Sequence, residues 1–176
     1  MQPNNWFKPL ASLVRDRVPR PLNQTLYEIN MKDWREVKEE FEADGSLRDI
    51  YIFGINVEAW DEFIQKIQSD KYQFKFMHGS SEQVLPDSFS RIKEIQKTNP
   101  TILSIWLNNN IQVNCHFFME TEIELDISPK EIKGPAEYKL LTTFMKWLSG
   151  TLRKPAILTH EGTQDQVILS VSEYAV

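Results

Sequence analysis

One segment, residues 102–129, restricts the possible folds of this chain more than any other part of the sequence. From Ile111 to Ile127 the odd positions are apolar except for Thr121, and the even positions are polar except for Phe118. Because successive side chains of a β-strand point to opposite faces of its sheet, this pattern is typical of a strand with one buried and one solvent-facing side. The segment therefore predicts an antiparallel sheet that is covered on one face.

A hairpin precedes this strand. Residues 102–107 also alternate, and the run Asn108–Asn110 that follows is a turn signal, since asparagine tolerates positive φ and bonds to its own backbone. The second arm, residues 111–127, would be about 56 Å long if it were straight, whereas a domain of this size is about 40 Å across. We therefore expect the arm to bend or to be interrupted at Phe117–Met119, by a bulge or a coil.

A row of acidic side chains occupies the polar face of this arm. The row consists of Glu120, Glu122, Glu124 and Asp126. Neighbouring carboxylates about 7 Å apart repel by about 0.6 kcal/mol in water and by about 2.4 kcal/mol at an effective dielectric of 20. The row is therefore tolerable in solvent and costly when buried without cations. It predicts either a solvated face that resists edge-to-edge aggregation or a surface for a basic partner or a metal.

Histidine is the other residue type with chemistry on this face. His116 shares the polar parity with Glu120 and Glu122, and an imidazole with carboxylates can bind a metal or move a proton. On a straight strand His116 and Glu120 are about 13 Å apart, so a shared metal requires a sharp fold at Phe118. These two residues are the candidate metal ligands.

The sequence contains no recognisable catalytic or cofactor-binding motif. His78 lies in a predicted loop with Ser80 and Ser81, but no strained nucleophile motif or acidic partner accompanies it. His160 lies at a predicted turn, where a solvated side chain is the simplest interpretation. We therefore predict no catalytic residues and no cofactor, although the loop 78–81 stays open as a site.

The charge of the chain is acidic and uneven. The net charge is −5, yet residues 1–21 carry +3 because four cations, Lys8, Arg15, Arg17 and Arg20, outnumber Asp16. The remaining residues therefore carry −8. An acidic body argues against a nucleic-acid ligand, which needs a basic footprint, and fits a basic protein partner, because complementary charge speeds and selects encounters.

Several sequence features bear on location. No apolar run approaches the roughly 20 residues that cross a bilayer, and the first residues lack the apolar core of a secretory signal. Cys115, which has no second cysteine to pair with, lies on the apolar face and is expected to be a small buried hydrophobe. We expect a cytoplasmic protein without a membrane segment.

The order of predicted elements indicates an α+β fold. Helices are predicted after the caps Asn30 and Asn56, after Pro86, and from Gly134 to Pro155. Strands are predicted at 26–29, 50–53, 72–76, in the hairpin, and at 156–159 and 167–171. We expect a mixed or mainly antiparallel sheet with a long bent hairpin and about four helices packed mostly on one face, as one domain over residues 23–176. Four prolines in residues 1–22 predict an extended N-terminal arm.

The C-terminal part of the chain resembles a family of small bacterial domains. The resemblance lies in C-H-F-F-M-E-T-E-I-E-L-D-I-S-P and in F-M-K-W-L-S-G-T-L-R-K-P-A-I-L-T-H-E-G, and it covers roughly the last 75 residues. Some domains of similar build serve as immunity proteins for secreted toxins. The resemblance implies a cytoplasmic inhibitor of one cognate toxin, with the acidic row as a contact surface, and carries no functional residue over.

Three functions are compatible with these features. The leading hypothesis is a non-enzymatic protein-binding module of the immunity type that binds a basic partner through Glu120, Glu122, Glu124 and Asp126. The second is a metal-dependent hydrolase centred on His116 and the same carboxylates. In the third, the acidic face is only solvated and function resides in loops.

Overall fold

The fold was examined in a computed structural model that describes residues 32–173. The helices are α1 (Trp34–Val37), α2 (Val57–Ser69), α3 (Phe89–Ile95) and α4 (Pro135–Leu152), with 3-10 turns at Lys38–Phe41 and Pro129–Glu131. The strands are β1 (Arg48–Phe53), β2 (Gln73–His78), β3 (Ser81–Gln83), β4 (Thr101–Asn108), β5 (Ile111–Cys115), β6 (Glu122–Ile127), β7 (Ala156–His160) and β8 (Val167–Val171). The predicted arm at 1–22 and the predicted strand at 26–29 lie outside the described residues.

All eight strands form one antiparallel sheet in the order β3-β2-β4-β5-β6-β1-β7-β8. Helices α2 and α4 pack their apolar stripes against one face of it. The stripes consist of Trp60, Phe63, Ile64, Ile67, Leu141, Phe144, Met145 and Leu148, all fully buried. The α+β class, the antiparallel sheet and the packing of the helices on one face are therefore confirmed. We call the opposite side, which carries Tyr51, Asn114 and Glu124, the outer face.

The segment 111–127 is not one bent strand, as the sequence suggested, but two strands that pair with each other. The chain reverses between Cys115 and Glu122, so that Cys115 lies opposite Leu125 and Asn114 opposite Asp126. The predicted interruption at Phe117–Met119 is confirmed, but it reverses the chain, which was not predicted. At Phe117 φ is +57° and the ring is buried in the core.

Side chains from two helices hold the reversal in place. The Trp60 indole donates a hydrogen bond to the Met119 carbonyl at 3.1 Å, and the Lys93 ammonium donates to the Phe117 carbonyl at 3.1 Å. Such partners replace the turn residues that the sequence lacks here, since a carbonyl left unpaired beside the core is costly.

Helix α2 begins where the sequence predicted, and α1 does not. The Asn56 side chain accepts a hydrogen bond from the Ala59 amide at 3.1 Å, as a helix N-cap does. Helix α1 begins after Asp33 rather than after Asn30, and the Glu36 carboxylate accepts from the Asp33 amide at 2.6 Å. The motif is a capping box that starts three residues later than predicted.

Residues 78–81 form a tight hairpin turn rather than an irregular loop. His78 lies opposite Ser81, with Gly79 and Ser80 between them, and Gly79 has a φ of +58°. This turn joins β2 to the short strand β3, which the sequence reading missed because its residues are all exposed.

Candidate protein-binding face

Strand β6 presents its acidic side chains on the outer face, as its alternation predicted. Ile123, Leu125 and Ile127 are fully buried, and the intervening carboxylates are half-buried. We call Glu122, Glu124 and Asp126 the acidic row. Glu120 does not belong to it, because this residue is exposed within the reversal that precedes β6. The predicted row of four is therefore a row of three.

A fourth carboxylate joins the row from the neighbouring strand β1. Asp49 lies opposite Asp126, and Tyr51 lies opposite Glu124. The Asp49 carboxylate accepts hydrogen bonds from the Gly162 amide at 2.7 Å and from the Tyr51 hydroxyl at 3.2 Å. Asp49 could not be recognised from the sequence, because pairing with Asp126, 77 residues away, leaves no local signal; its shared parity with Tyr51 was the one available clue.

Three of these carboxyl groups, Asp49, Glu122 and Glu124, are harder to ionise in the folded protein than in water. Burial raises the pKa of Asp49, Glu122 and Glu124 above the ordinary range of carboxyl groups, and the charges of Asp49 and Glu122 raise the pKa of Glu124 further. The row thus holds negative charge at some cost in free energy.

Lysine and arginine do not offset this charge within the part of the chain that the structure describes. The ion pairs there involve Arg48, Lys75, Arg91, His116 and His160, and of these only His116 meets the acidic row. The Gln164 amide, at 3.3 Å from Glu122, is a neutral partner. The row therefore leaves a local excess of negative charge on the outer face.

A network of polar side chains fixes the row from the side of β4 and β5. Asp126 accepts hydrogen bonds from the Asn114 amide at 3.0 Å and lies 2.8 Å from the His116 Nε2. The Asn114 side-chain oxygen in turn accepts from Gln112 at 2.7 Å and from Ser104 at 3.0 Å. These bonds hold Asp126 in one orientation, since each partner is itself bonded.

An apolar patch adjoins the polar network at the reversal. The Phe118 ring is 56% exposed and stacks on the His116 imidazole, with ring centroids 5.1 Å apart. Met119 and Ile102 are also exposed. Ile102 is on the adjacent strand β4, one residue before Leu103, which lies opposite Cys115. Exposed apolar side chains next to charged ones are typical of protein-interaction surfaces.

The residues predicted as metal ligands are only partly brought together. His116 meets Asp126 rather than Glu120, and the hydrogen bond to Asp126 raises the pKa of His116. Residues 32–173 contain no group of three or more histidine, cysteine or acidic side chains arranged to hold a metal ion. The hydrolase hypothesis stays a prediction that rests on the single pair His116 and Asp126.

The other two histidines have structural partners. His78 Nε2 lies 3.0 Å from both the Ile95 carbonyl and the Thr98 hydroxyl, which ties the β2–β3 hairpin to the end of α3. His160 Nε2 lies 3.0 Å from the Glu40 carboxylate. Neither arrangement links a histidine to Ser80 or Ser81.

None of the helices within the described residues is long and apolar enough to cross a bilayer. Comparison of the chain with protein-family models, with curated proteins and with solved structures gives no match. The resemblance to immunity-type domains therefore stays an expectation from the sequence.

Proposed function

We propose that this chain is a non-enzymatic protein-binding module that binds a basic partner protein through the acidic row, with the buried Asp49 adding negative charge beneath it. The observation that carries the proposal is the absence, within residues 32–173, of any lysine or arginine paired with these four carboxylates. A cationic side chain of a partner supplies an opposite charge, and the raised pKa values of Asp49, Glu122 and Glu124 indicate that their ionised forms are disfavoured in the free protein.

The surroundings of the row suit a protein partner better than a small ion. The polar network from Ser104 to Asp126 is preorganised, which lowers the entropy cost of binding. The patch at Phe118 offers apolar area beside the charge, as protein interfaces do. Negative charge on the face disfavours nucleic acid, since a phosphate backbone needs cations.

The narrower part of the proposal is that the module is an inhibitor of the immunity type that acts in the cytoplasm. Its support is the resemblance of the C-terminal part of the chain, together with the free thiol of Cys115, which suits a reducing compartment. Where a neighbouring gene encodes a basic toxin, coexpression of this chain with that toxin should restore the growth of cells that the toxin inhibits. The Glu122→Lys, Glu124→Lys double variant should fail to restore it.

A synthetic decalysine peptide is a suitable probe of the face while the partner is unidentified. Calorimetric titration at low ionic strength should give about tenfold weaker binding for the Glu122→Lys, Glu124→Lys variant than for the wild type, because two attractive contacts become repulsive. The matched control is the Glu39→Lys, Glu42→Lys variant, which changes the net charge equally at exposed residues that belong to no strand. Its affinity should fall by less than about threefold.

Equal weakening in the two double variants would mean that the probe senses only net charge, and the proposal would then be wrong. Circular dichroism of both variants should match the wild type, because all four substituted side chains are at least partly exposed. The contrast between the variants thus tests the position of the charge.

A further inference from the structure

The edge strand β3 covers only half of its neighbour β2. Residues Phe76–His78 pair with β3, and the last pair is Phe76 with Gln83. The other half of β2, Gln73–Lys75, pairs with β4 on one side, where Gln73 lies opposite Trp106. On its other side no strand within residues 32–173 accompanies it.

The path of the chain after β3 explains why the pairing stops. Leu85 is buried in the core, and its carbonyl accepts a hydrogen bond from the Gln68 side chain at 2.9 Å. The chain therefore leaves the edge of the sheet after Gln83 and turns toward the helices. Val84, the residue that follows Gln83, is 90% exposed.

The geometry of the hairpin identifies which backbone groups are unpaired. A two-residue turn with positive φ at its first residue, Gly79, and not at Ser80 is a type II′ turn, whose flanking residues form a hydrogen-bonded pair. Hydrogen-bonded positions alternate along an antiparallel strand, so the backbone groups of His78, Phe76 and Phe74 all point toward the β3 side. Phe74 lies beyond the end of β3, so its N–H and C=O groups face the side of β2 on which no strand within residues 32–173 pairs with it.

A cleft accompanies these groups. It has a volume of about 700 Å³ and is lined by Tyr72, Gln73, Phe74, Lys75, Glu82, Trp106 and Asn109. Lysine on an edge strand usually discourages pairing with another chain, but the Lys75 ammonium lies 3.0 Å from the Glu82 carboxylate, which offsets its charge. The open half of β2 is therefore poorly protected against a further strand.

We propose that the edge of β2 from Gln73 to Lys75 binds an extended peptide segment of a partner protein as an added β-strand. Unpaired backbone N–H and C=O groups are complementary to another extended backbone, and this complementarity defines the ligand. The peptide residue opposite Phe74 projects its side chain to the helix-covered face, where an apolar residue fits beside the Phe74 ring. The proposal does not depend on the acidic row.

A peptide with the sequence Lys-Thr-Val-Thr-Val-Thr-Lys is the probe, and NMR of the ¹⁵N-labelled full chain is the measurement. In the free protein the Phe74 amide should exchange with solvent much faster than the Phe76 amide, which is within the β2–β3 ladder. Addition of the peptide should slow the exchange of the Phe74 amide at least about tenfold, because it acquires a hydrogen-bond partner.

Two N-methylated peptides separate backbone pairing from side-chain contact. Methylation of the valine nitrogens removes the N–H groups that face Phe74 when valine lies opposite it, and should abolish the protection. Methylation of the threonine nitrogens, which point away from the sheet, should leave the protection in place. The side chains of both peptides are unchanged, so equal binding of the two would overturn the proposal.

Two further results would also overturn it. One is a Phe74 amide that already exchanges as slowly as the Phe76 amide in the free chain, which would show that the edge is occupied. If this protection grows with protein concentration, the occupant is a second copy of the chain. The other is that neither the parent peptide nor its threonine-methylated analogue slows the exchange of the Phe74 amide. The Glu122→Lys, Glu124→Lys variant should bind the peptide as the wild type does. The result of this test therefore does not depend on whether the acidic row binds a basic partner.

Discussion

His116 Nε2 lies 2.8 Å from the Asp126 carboxylate, so the imidazole at the end of β5 closes the acidic row that the returning strand β6 presents. The two residues meet because the chain reverses at Phe117 and pairs β5 with β6. When His116 is protonated, the contact places a positive charge directly against Asp126.

The first prediction concerns the pH dependence of stability. The hydrogen bond to Asp126 raises the pKa of His116, so the folded state binds this proton more tightly than the unfolded state. The stabilisation of the folded state by the protonated His116 is complete below the unfolded pKa of about 6.5. It is lost as pH rises through the higher pKa of the folded state. The free energy of unfolding of the wild type should therefore fall, relative to that of His116→Gln, as pH rises above the unfolded pKa of about 6.5.

The expected change is less than about 1 kcal/mol, because the His116 side chain is 30% exposed and solvent screens the pair. Urea unfolding at several pH values provides the measurement. When both proteins also carry Asp126→Asn, the pH dependence of the difference in free energy of unfolding between them should disappear. A difference between wild type and His116→Gln that stays constant with pH would contradict the assignment.

The second prediction is that Glu124→Gln stabilises the protein. Burial and the charges of Asp49 and Glu122 raise the pKa of Glu124, which means that its ionised form is disfavoured in the folded state. This penalty is present above the folded pKa and disappears as pH falls below the unfolded pKa. At pH 7 the variant should gain about 0.5 kcal/mol, and near pH 4 the gain should be smaller.

Glu39→Gln, at an exposed position, is the control and should give a clearly smaller gain in the free energy of unfolding at pH 7 than Glu124→Gln does. A destabilised Glu124→Gln variant at pH 7 would show that the carboxylate is compensated in the free protein. That result would also remove the main electrostatic reason for a basic partner.

The third prediction separates two adjacent phenylalanines. The Phe117 ring is fully buried and packs against Trp60 with ring centroids 5.3 Å apart, so Phe117→Ala should cost about 3–5 kcal/mol. Phe118 is mostly exposed, and Phe118→Ala should cost no more than about 1 kcal/mol, part of it from the lost stack on His116. Thermal or urea unfolding measures both, and similar costs would contradict the described reversal.

The faces of the strands could be predicted from the sequence because strand parity is a local property. Alternation in residues 111–127 separates Val113 and Cys115, which are buried, from Asn114 and Glu124, which are on the outer face. The pattern needs no knowledge of the neighbouring strands, since each residue is assigned by its own position.

Properties that depend on distant partners could not be predicted in the same way. The reversal at Phe117 has no glycine, proline or asparagine, and Trp60 and Lys93 stabilise it from helices far away in the sequence. Asp49 joins the acidic row only through the pairing of β1 with β6. The short strand β3 is exposed throughout, so it has no hydrophobic period to detect.

The central claim is that the outer face, and not acidity in general, binds a cationic partner. A ¹H–¹⁵N NMR titration of the full chain with decalysine tests it most directly. The account predicts saturable shifts concentrated in β6 at Glu122–Asp126 and in β1 at Asp49–Tyr51, and their loss in the Glu122→Lys, Glu124→Lys variant. Shifts spread over the surface, or largest at the cleft between α2 and α4 that Glu62, Asp70 and Glu173 line, would contradict it.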